Sequence, residues 1–426
     1  MKFSSTVVLR SILLLSWGAG LRAQEILPPS QAVKLADLLV EAEHNSPQIQ
    51  AARHGWQAAE QIPSQVSTLP DPQFVLQQLS VGSPRPFAGY TNSDFAYVGL
   101  GFSQDIPYPG KLRLRGEVAK KDADVSQQQY ESIRRAVLTE LKTTYFQLAY
   151  LSKRRAVLEG DRQLLRQVEE AAHARYRSGM GNQQEIIQVQ LQETKLLREV
   201  TENELEREKA QAELKQLLNR PQSSPNVETV ELSETTATYT YDQLLSAAKT
   251  NNPEIAGAQK VVEKQGLQVD LAKKDFYPDF NLQYLWQRTD PTQFRAYYML
   301  TFGVRVPVYR KRKQQPELAQ AEADQSRARS EYEMKTQHIA FELRQRYLDA
   351  EKSEELLKIY REGLLPQARA EVQAGLAAYQ SNRLDFQALL NSFLDVLKLD
   401  EEYWQTLSQH ETAFSQIEGI TGLSLR

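Results

Sequence analysis

The histidines, which are the residues best suited to binding a metal ion, are scattered along this chain. They stand at His44, His54, His173, His338 and His410. No two of them are four residues apart, the spacing that would place both on one face of a helix. There are also 0 cysteines and only 4 methionines to complete a ligand set. We therefore expect no dedicated metal site.

Motifs that carry enzymatic chemistry are missing from the sequence as well. There is no glycine-rich P-loop, no GxSxG nucleophile elbow and no spacing that pairs a nucleophile with a base. Adjacent carboxylates, such as Glu354 with Glu355, fit a solvated helix face better than an acid–base pair. The sequence thus predicts no enzyme and no cofactor, and any energy for its function must come from a partner.

The first 23 residues have the features of a secretory signal peptide. Lys2 and Arg10 give a basic start, an apolar core follows, and Leu21-Arg22-Ala23 fits a cleavage site. Removing residues 1–23 would change the formal net charge from −3 to about −6, so nucleic acid is not an expected partner. An exported chain without cysteine forms no disulfide and carries no lipid on an N-terminal cysteine. No later stretch approaches the 18 apolar residues of a membrane-spanning helix.

The rest of the chain repeats one pattern twice, about 200 residues apart. Residues 38–49 are echoed by residues 244–255, which lie 206 positions later. The same offset relates Phe74 to Phe280, and an offset of 200 relates Pro107 to Pro307 and Lys111 to Lys311. The offset changes where loops are expected, as in a duplicated structural unit. We divide the mature chain into a first repeat (24–218), a linker (219–240) and a second repeat (241–426).

Each repeat contains two short segments with the pattern of a β-strand. They cover about 73–80 and 95–106 in the first repeat, and about 279–287 and 296–308 in the second. Segments of roughly ten residues that are apolar on one face and polar on the other are typical of strands that cross an outer membrane. A hairpin on an ordinary soluble core has the same pattern, so the strands alone leave both interpretations open.

The remainder of each repeat has a helical pattern. It covers 34–66, about 111–178 and 183–218 in the first repeat, and about 314–381 and 385–415 in the second. A helix over 111–178 would be about 100 Å long at 1.5 Å per residue. Helices of that length cannot wrap a globular core, so we expect them to pack side by side as hairpins.

Four strands in one chain are too few to close a barrel. An open sheet edge in lipid would leave backbone groups unpaired, at a cost of several kcal/mol each. The strands of such a barrel must therefore come from more than one copy. Bacterial barrels have even strand numbers of about eight or more, and either two or three copies satisfy that rule.

Over nearly the whole mature chain, this order of elements resembles the TolC-type outer-membrane efflux proteins. The resemblance is carried by QDIPYPGKLRLRGEVA (104–119), YRSGMGNQQEIIQVQ (176–190), GLLPQA (363–368) and YQSNRLDFQALLNSF (379–393). It implies a mainly α-helical fold with a transmembrane β-barrel, in which a homotrimer forms a 12-stranded barrel in outer-membrane lipid and an α-helical tunnel in the periplasm. It also implies two protein partners, a periplasmic adaptor and an inner-membrane pump of RND type. The IPYPGKLRLRGE stretch favours the heavy-metal subgroup, so metal cations or drugs are the expected solutes.

By the same resemblance, the turns at 178–182 and 381–384 lie at the periplasmic ends of the hairpins. Glycine and asparagine both tolerate the left-handed backbone that a tight reversal needs. The residues expected to contact the adaptor are Gly179, Met180, Gly181, Asn182, Asn382, Arg383 and Leu384. Those expected to form the tunnel gate are Tyr176, Glu185, Tyr379, Asp385 and Asn391.

The acidic residues at this gate differ from the family pattern. The family often has acids where this chain has Ala388 and Asn391. Glu185 or Asp385, repeated in three copies, would instead make an acidic ring that attracts cations. Solvated charges near helix N-termini are the simpler alternative.

Two other classes of protein remain open at this stage. One is a periplasmic coiled-coil scaffold or adaptor protein whose strands form a soluble β-hairpin domain. The other is an enzyme of the cell envelope, such as a lyase, which would need a concave site. Partition between membrane and soluble fractions separates the scaffold from the channel.

Overall fold

The computed structural model describes residues 33–80, 96–236, 239–288 and 296–425. The expected signal peptide, residues 1–23, lies outside this part of the chain. None of the helices in the described part has a stretch long and apolar enough to cross a membrane.

The described residues form ten α-helices and four β-strands. The first half contains α1 (Leu35–Asn45), α2 (Pro47–Ala59), α3 (Ile62–Ser67), β1 (Gln73–Leu79), β2 (Tyr97–Ile106), α4 (Lys111–Arg177) and α5 (Gln183–Leu217). The second half contains α6 (Tyr241–Asn251), α7 (Pro253–Lys274), β3 (Asp279–Arg288), β4 (Ala296–Arg305), α8 (Gln314–Ile359), a π-helical turn (Tyr360–Leu364), α9 (Leu365–Gln380) and α10 (Phe386–Thr421). The prediction of a mainly helical fold with four strands in each chain is confirmed.

The four strands form one antiparallel sheet in the order β1-β2-β3-β4. Its apolar face is largely exposed in the single chain, with Phe74 83% exposed and Leu300 69% exposed. The register places these apolar residues on one side, because Phe74 pairs with Phe102 and Phe280 pairs with Val304. Both β2 and β4 end close to a proline, β2 at Ile106 directly before Pro107 and β4 at Arg305 with one residue before Pro307. Proline cannot donate a backbone hydrogen bond to a sheet, so β4 stops short of the expected residue 308.

The helices pack lengthwise, as expected of long hairpins. Helix α4 has 67 residues and is about 100 Å long. One apolar core lies where α4 and α5 meet α1, around Leu141, Leu148 and Leu214. A second core joins α8 and α10 to α6, around Leu343 and Ile417. Each half therefore builds its own hairpin core.

Two expected helices are interrupted. The segment 34–66 is three helices rather than one. The break between α1 and α2 falls at Ser46, which is extended because Pro47 follows it and begins α2. The second half repeats this break at Asn252 and Pro253. The expected helix over 314–381 is likewise divided by the π-helical turn, where the N–H of Leu365 donates to the carbonyl of Tyr360.

Pro366 accounts for the position of the π-helical turn, since proline has no N–H to continue the α-helical hydrogen bonds. The last helix is longer than expected. Helix α10 runs to Thr421 rather than to about 415, and Gly422 ends it in the left-handed conformation with φ 69°.

Candidate functional site

The turn between α4 and α5 is the tip of the first hairpin. Gly179 takes the left-handed conformation with φ 73°, and the N–H groups of Met180 and Gly181 both donate to the carbonyl of Arg175 at 3.0 Å. A Cβ at Gly181 would lie 2.9 Å from the backbone nitrogen of Tyr176. The first glycine is thus required by the backbone angle and the second by the closeness of the returning chain.

The turn between α9 and α10 is the tip of the second hairpin and reverses without glycine. Asn382 has φ 57°, and the N–H of Arg383 donates to the carbonyl of Ala378 at 2.8 Å. The next helix is capped by Asp385, whose carboxylate accepts from the N–H of Ala388 at 2.7 Å. In the first tip Asn182 has the same capping role, accepting from the N–H of Gln184 at 2.9 Å.

A hydrogen bond connects the two tips within one chain. The hydroxyl of Tyr379 donates to the carboxylate of Glu185 at 2.6 Å, although the two residues are 194 positions apart. The Tyr379 side chain is fully buried, and its ring packs edge-on against Phe386. Burial, followed by the hydrogen bond to Glu185, raises the pKa of Tyr379 well above its ordinary value. The phenol therefore stays protonated and is a donor at any physiological pH.

Arg175 makes a second connection between the tips. Its guanidinium donates to the carbonyl of Met180 at 3.1 Å in its own tip. It also donates to the carbonyl of Tyr379 and to the side-chain oxygen of Asn382, both at 2.8 Å, in the other tip. The guanidinium carbon lies 4.3 Å from the centre of the Tyr379 ring. One cation thus holds both turns and stacks on the aromatic ring between them.

An apolar cluster lies behind these polar contacts. Its buried members come from four helices: Leu165, Val168, Ala172, Ile186, Val189, Tyr379, Phe386, Leu389, Leu390 and Phe393. Because α4, α5, α9 and α10 all contribute, the two hairpins share one core at their tips.

The remaining residues expected at the tips have different surroundings. Met180 is 60% exposed, and Tyr176, Asn182, Arg383, Asp385 and Asn391 are exposed as well. Leu384 was expected to be an exposed tip residue, but it is partly buried against the apolar cluster. Tyr176 and Tyr379 occupy matching places before their turns, yet only Tyr379 joins the core.

Two features of this region escaped the sequence analysis. Arg175 is one of many basic residues in α4, and nothing local marks it as the one that reaches the other hairpin. Asp161, also in α4, is only 7% exposed, and burial, followed by the nearby charges of Asp400, Glu199 and Glu401, raises its pKa to about 7. The break at Pro366 did have a local signal, since proline inside a helical pattern predicts an interruption.

No group of three or more histidine, cysteine, aspartate or glutamate side chains in the described part of the chain is arranged to hold a metal ion. The geometry of the tips is that of hydrogen bonds and packing between helices. These contacts hold the two hairpin ends together in the structure.

Comparisons with known proteins agree with this architecture. The family model for outer membrane efflux proteins matches residues 38–220 and 244–389, which is more than half of the chain. The two matched stretches are separated by residues 221–243. No curated protein matched the chain significantly.

Several solved structures share the fold. The outer-membrane channel OprN aligns with a TM-score of 0.79 at 16% identity, over 92% of this chain and 90% of its own. VceC, an outer membrane protein of Vibrio cholerae, aligns with a TM-score of 0.77 at 17% identity, over 92% of this chain and 97% of its own. The open state of the MtrE outer membrane channel of Neisseria gonorrhoeae aligns with a TM-score of 0.76 at 14% identity, over 92% and 89%.

At these identities the solved structures show a common fold, and the family model supplies the assignment. Members of this family are transport channels of the outer membrane and not enzymes. The chain therefore belongs to the outer membrane efflux protein family.

Proposed function

We propose that three copies of this chain assemble into a passive exit duct. In this assembly the sheets close into a 12-stranded barrel in outer-membrane lipid, and the long hairpins form an α-helical tunnel across the periplasm. The observation that carries the proposal is the sheet itself, which has an exposed apolar face, has β1 and β4 at its edges and leads directly into α4 and α8. Each chain then supplies two similar wall units, the repeats over 24–218 and 241–426, joined by the linker over 219–240.

The assembly can be tested by crosslinking the protein in detergent extracts of outer membranes. We expect a covalent product with the mass of three chains, together with ion conductance when the extract is added to planar lipid bilayers. A stable monomer that conducts nothing would contradict the proposal. A protein that stays soluble without detergent would instead favour the scaffold hypothesis.

We further propose that the tips form the gate and the docking site of the duct. The Tyr379–Glu185 hydrogen bond and the Arg175 contacts hold the two hairpin ends together at rest, and Tyr176, Asp385 and Asn391 line the passage beside them. Replacing Tyr379 with Phe removes the hydroxyl and keeps the ring, so we expect a larger resting conductance. The matched control is Tyr239→Phe, because Tyr239 is exposed just before α6, away from the tips, and the conductance of this variant should not change. Equal conductance of the two variants would remove Tyr379 from the gate.

The acidic ring of this gate has a separate test. Glu185→Gln should lower the preference of single channels for cations over anions, because three carboxylates lose their charge. Unchanged selectivity would leave Glu185 with a structural role at the tip only.

For the partners, we propose a periplasmic adaptor that contacts Gly179, Met180, Gly181, Asn182, Asn382, Arg383 and Leu384, and an inner-membrane pump of RND type behind it. Met180→Lys should weaken binding of the periplasmic adaptor in a pull-down from cell envelopes. Val40→Lys is the control, since Val40 is 58% exposed on α1, away from the tips. Equal binding by the two variants would place the docking surface elsewhere.

Heavy-metal cations or drugs are the solutes we propose. Cells that lack this protein should accumulate the solute that its pump exports, and restoring the protein should reverse that accumulation. Comparing metal salts with drugs in the same strain distinguishes the two classes.

A further inference from the structure

The junction between β2 and α4 is fastened by a buried lysine. Lys111 is 3% exposed, and its amino group lies 3.0 Å from the carboxylate of Asp275 and 2.9 Å from that of Asp279. The backbone N–H of Tyr108 also donates to Asp279, at 2.8 Å. Because Asp279 is the first residue of β3, Lys111 connects the β2–α4 junction of the first repeat with the start of β3 in the second repeat.

The junction between β4 and α8 has the matching lysine but lacks this contact. Lys311 lies 200 positions after Lys111, inside a run of four exposed basic residues, Arg310–Lys313. None of the four forms an ion pair with any described residue. Beside them, Gln314 is 7% exposed, and its side-chain oxygen is buried without a hydrogen-bond partner in the described part of the chain. Lys111 is the first residue of α4, whereas Lys311 lies in the turn before α8, and no described residue of the same chain pairs with it.

The strand that would follow β4 in a closed barrel belongs to another copy of the chain. In a closed barrel of several copies, β4 pairs with β1 of the next copy, and the alternation of strand directions makes that pair antiparallel. The register of β2 and β3 places Gln104 opposite Leu282. Applying the repeat offsets of 200 and 206 places Val304 opposite Leu76 of the next copy. Both residues then lie on the apolar face, as the pleat of a sheet requires.

An acidic residue stands at the corresponding place in the next copy. The offset of 206 relates Asp275 and Asp279 to Leu69 and Gln73, and Asp71 lies midway between those two positions. Asp71 is exposed and forms no ion pair with the described residues of its own chain. A lysine side chain is long enough to reach Asp71, which lies two residues from each of those corresponding positions.

We propose that Lys311 of one copy forms an ion pair with Asp71 of the next copy and fastens the seam between copies. The proposal rests on closure of the sheet by several copies, as set out above. The three other basic residues of the run raise the positive potential around Asp71 and favour the approach of the two edges. This contact would join two copies in the way that the Lys111–Asp279 pair joins the two repeats within one chain.

A charge exchange tests the pair directly. Lys311→Glu and Asp71→Lys should each lower the fraction of trimer that survives mild denaturing detergent by at least about twofold, because each places like charges across the seam. The double variant restores opposite charges and should recover most of the trimer. The matched control combines Arg312→Glu with Asp71→Lys and should show no recovery.

The absence of cysteine provides a second test. Lys311→Cys together with Asp71→Cys should form crosslinked dimers and trimers in the membrane with a short bis-maleimide reagent, because an ion pair of a long lysine side chain holds the two backbones too far apart for a direct disulfide. Lys311→Cys together with Glu60→Cys should remain uncrosslinked, because Glu60 lies at the end of α2, 11 residues before Asp71. A trimer that shows neither charge recovery nor this crosslink would overturn the seam contact and leave the exit duct standing.

Two further outcomes would also overturn the ion pair. If Lys311→Glu lowers trimer yield only in vesicles that contain anionic phospholipid, and Asp71→Lys does not compensate, the basic run binds lipid headgroups instead. If the unmodified protein is a monomer in membranes, the exit duct itself is wrong and the seam fails with it.

Discussion

The two long hairpins derive from one repeated pattern, but the first helical arm of each differs in the third nearest the tip. In the first half, α4 runs without a break for 67 residues and buries the carboxyl group of Asp161 there. In the second half, the corresponding level holds the π-helical turn and Pro366. The second arm also contacts α10 of its own hairpin through the pairs Tyr360–Glu402 and Arg369–Asp400.

This difference shows that two copies of one sequence pattern need not form helices with the same geometry. A continuous α-helix keeps one path along its whole length, whereas a π-helical turn is a place where the path of a helix changes. The first arm is thus one uninterrupted helix that contains a buried acid. The second arm contains a break that is held by ion pairs and hydrogen bonds on its surface.

The largest effect is expected where the two hairpins meet. Arg175→Met keeps the aliphatic bulk of the side chain and removes the donors to Met180, Tyr379 and Asn382. We expect the free energy of unfolding to fall by about 2–4 kcal/mol, because hydrogen bonds to a charged group are lost and a carbonyl of the other hairpin loses its partner. Urea denaturation followed by far-ultraviolet circular dichroism measures this change.

Arg177→Met is the control for that experiment, because Arg177 is exposed at the end of the same helix. A surface change of this kind should alter the free energy of unfolding by less than about 0.5 kcal/mol. If both variants lose the same stability, Arg175 does not stabilise the contact between the two hairpins.

A somewhat smaller effect, which depends on pH, is expected from Asp161. Its pKa is raised to about 7 in the fold, against an ordinary value of about 3.9 in the unfolded chain. The folded state therefore binds a proton that the unfolded state releases, and this group's stabilising contribution is complete below about pH 4 and is lost as the pH rises towards 7. Asp161→Asn should remove this loss and stabilise the protein by about 2–3 kcal/mol at neutral pH relative to the wild type.

Thermal unfolding between about pH 4 and pH 8 measures the difference in stability between the wild type and Asp161→Asn. Asp395→Asn is the matched control, since Asp395 is an exposed acid on α10 and its removal should leave the pH profile unchanged. If the Asp161→Asn variant keeps the wild-type pH profile, the carboxyl group of Asp161 does not hold a proton in the folded state.

The smallest effect concerns the two turns. Gly179→Val should cost about 1–2 kcal/mol, because a β-branched residue is strained in the left-handed conformation. Gly179→Asn should cost clearly less, since Asn382 adopts the same conformation in the second tip. Thermal melting of the two variants side by side checks this prediction. Equal losses would mean that the tips are not interchangeable at this position.

Much of the fold follows from local patterns in the sequence. The alternation around Phe280 and Trp286 predicts β3, and the helical period without proline predicts α4 to within a residue at its C-terminal end. The position of Asn382 in a turn predicts its left-handed backbone. The interrupted second arm could have been predicted from Pro366, but the π-helical form of the break depends on the surrounding helices.

The tip contacts were only partly predictable. Resemblance to known tips marks Tyr379 and Glu185 as neighbours of the turns, but it does not show that they bond to each other within one chain. Nothing in the sequence distinguishes the buried Tyr379 from the exposed Tyr176, because both precede a turn with the same spacing. Their environments differ because the second tip packs its tyrosine into the shared core.

The sequence by itself determined the elements of this protein, their order and their duplication. Backbone conformation responds to residue type over a few positions, so periodicity, prolines and turn residues are enough to specify it. The tertiary structure alone decided which long-range groups meet: Arg175 with Asn382, Lys111 with Asp279, and Asp161 with the charges of Asp400 and Glu199. Those contacts depend on how helices and strands far apart in the chain lie against one another, and no local pattern records that arrangement.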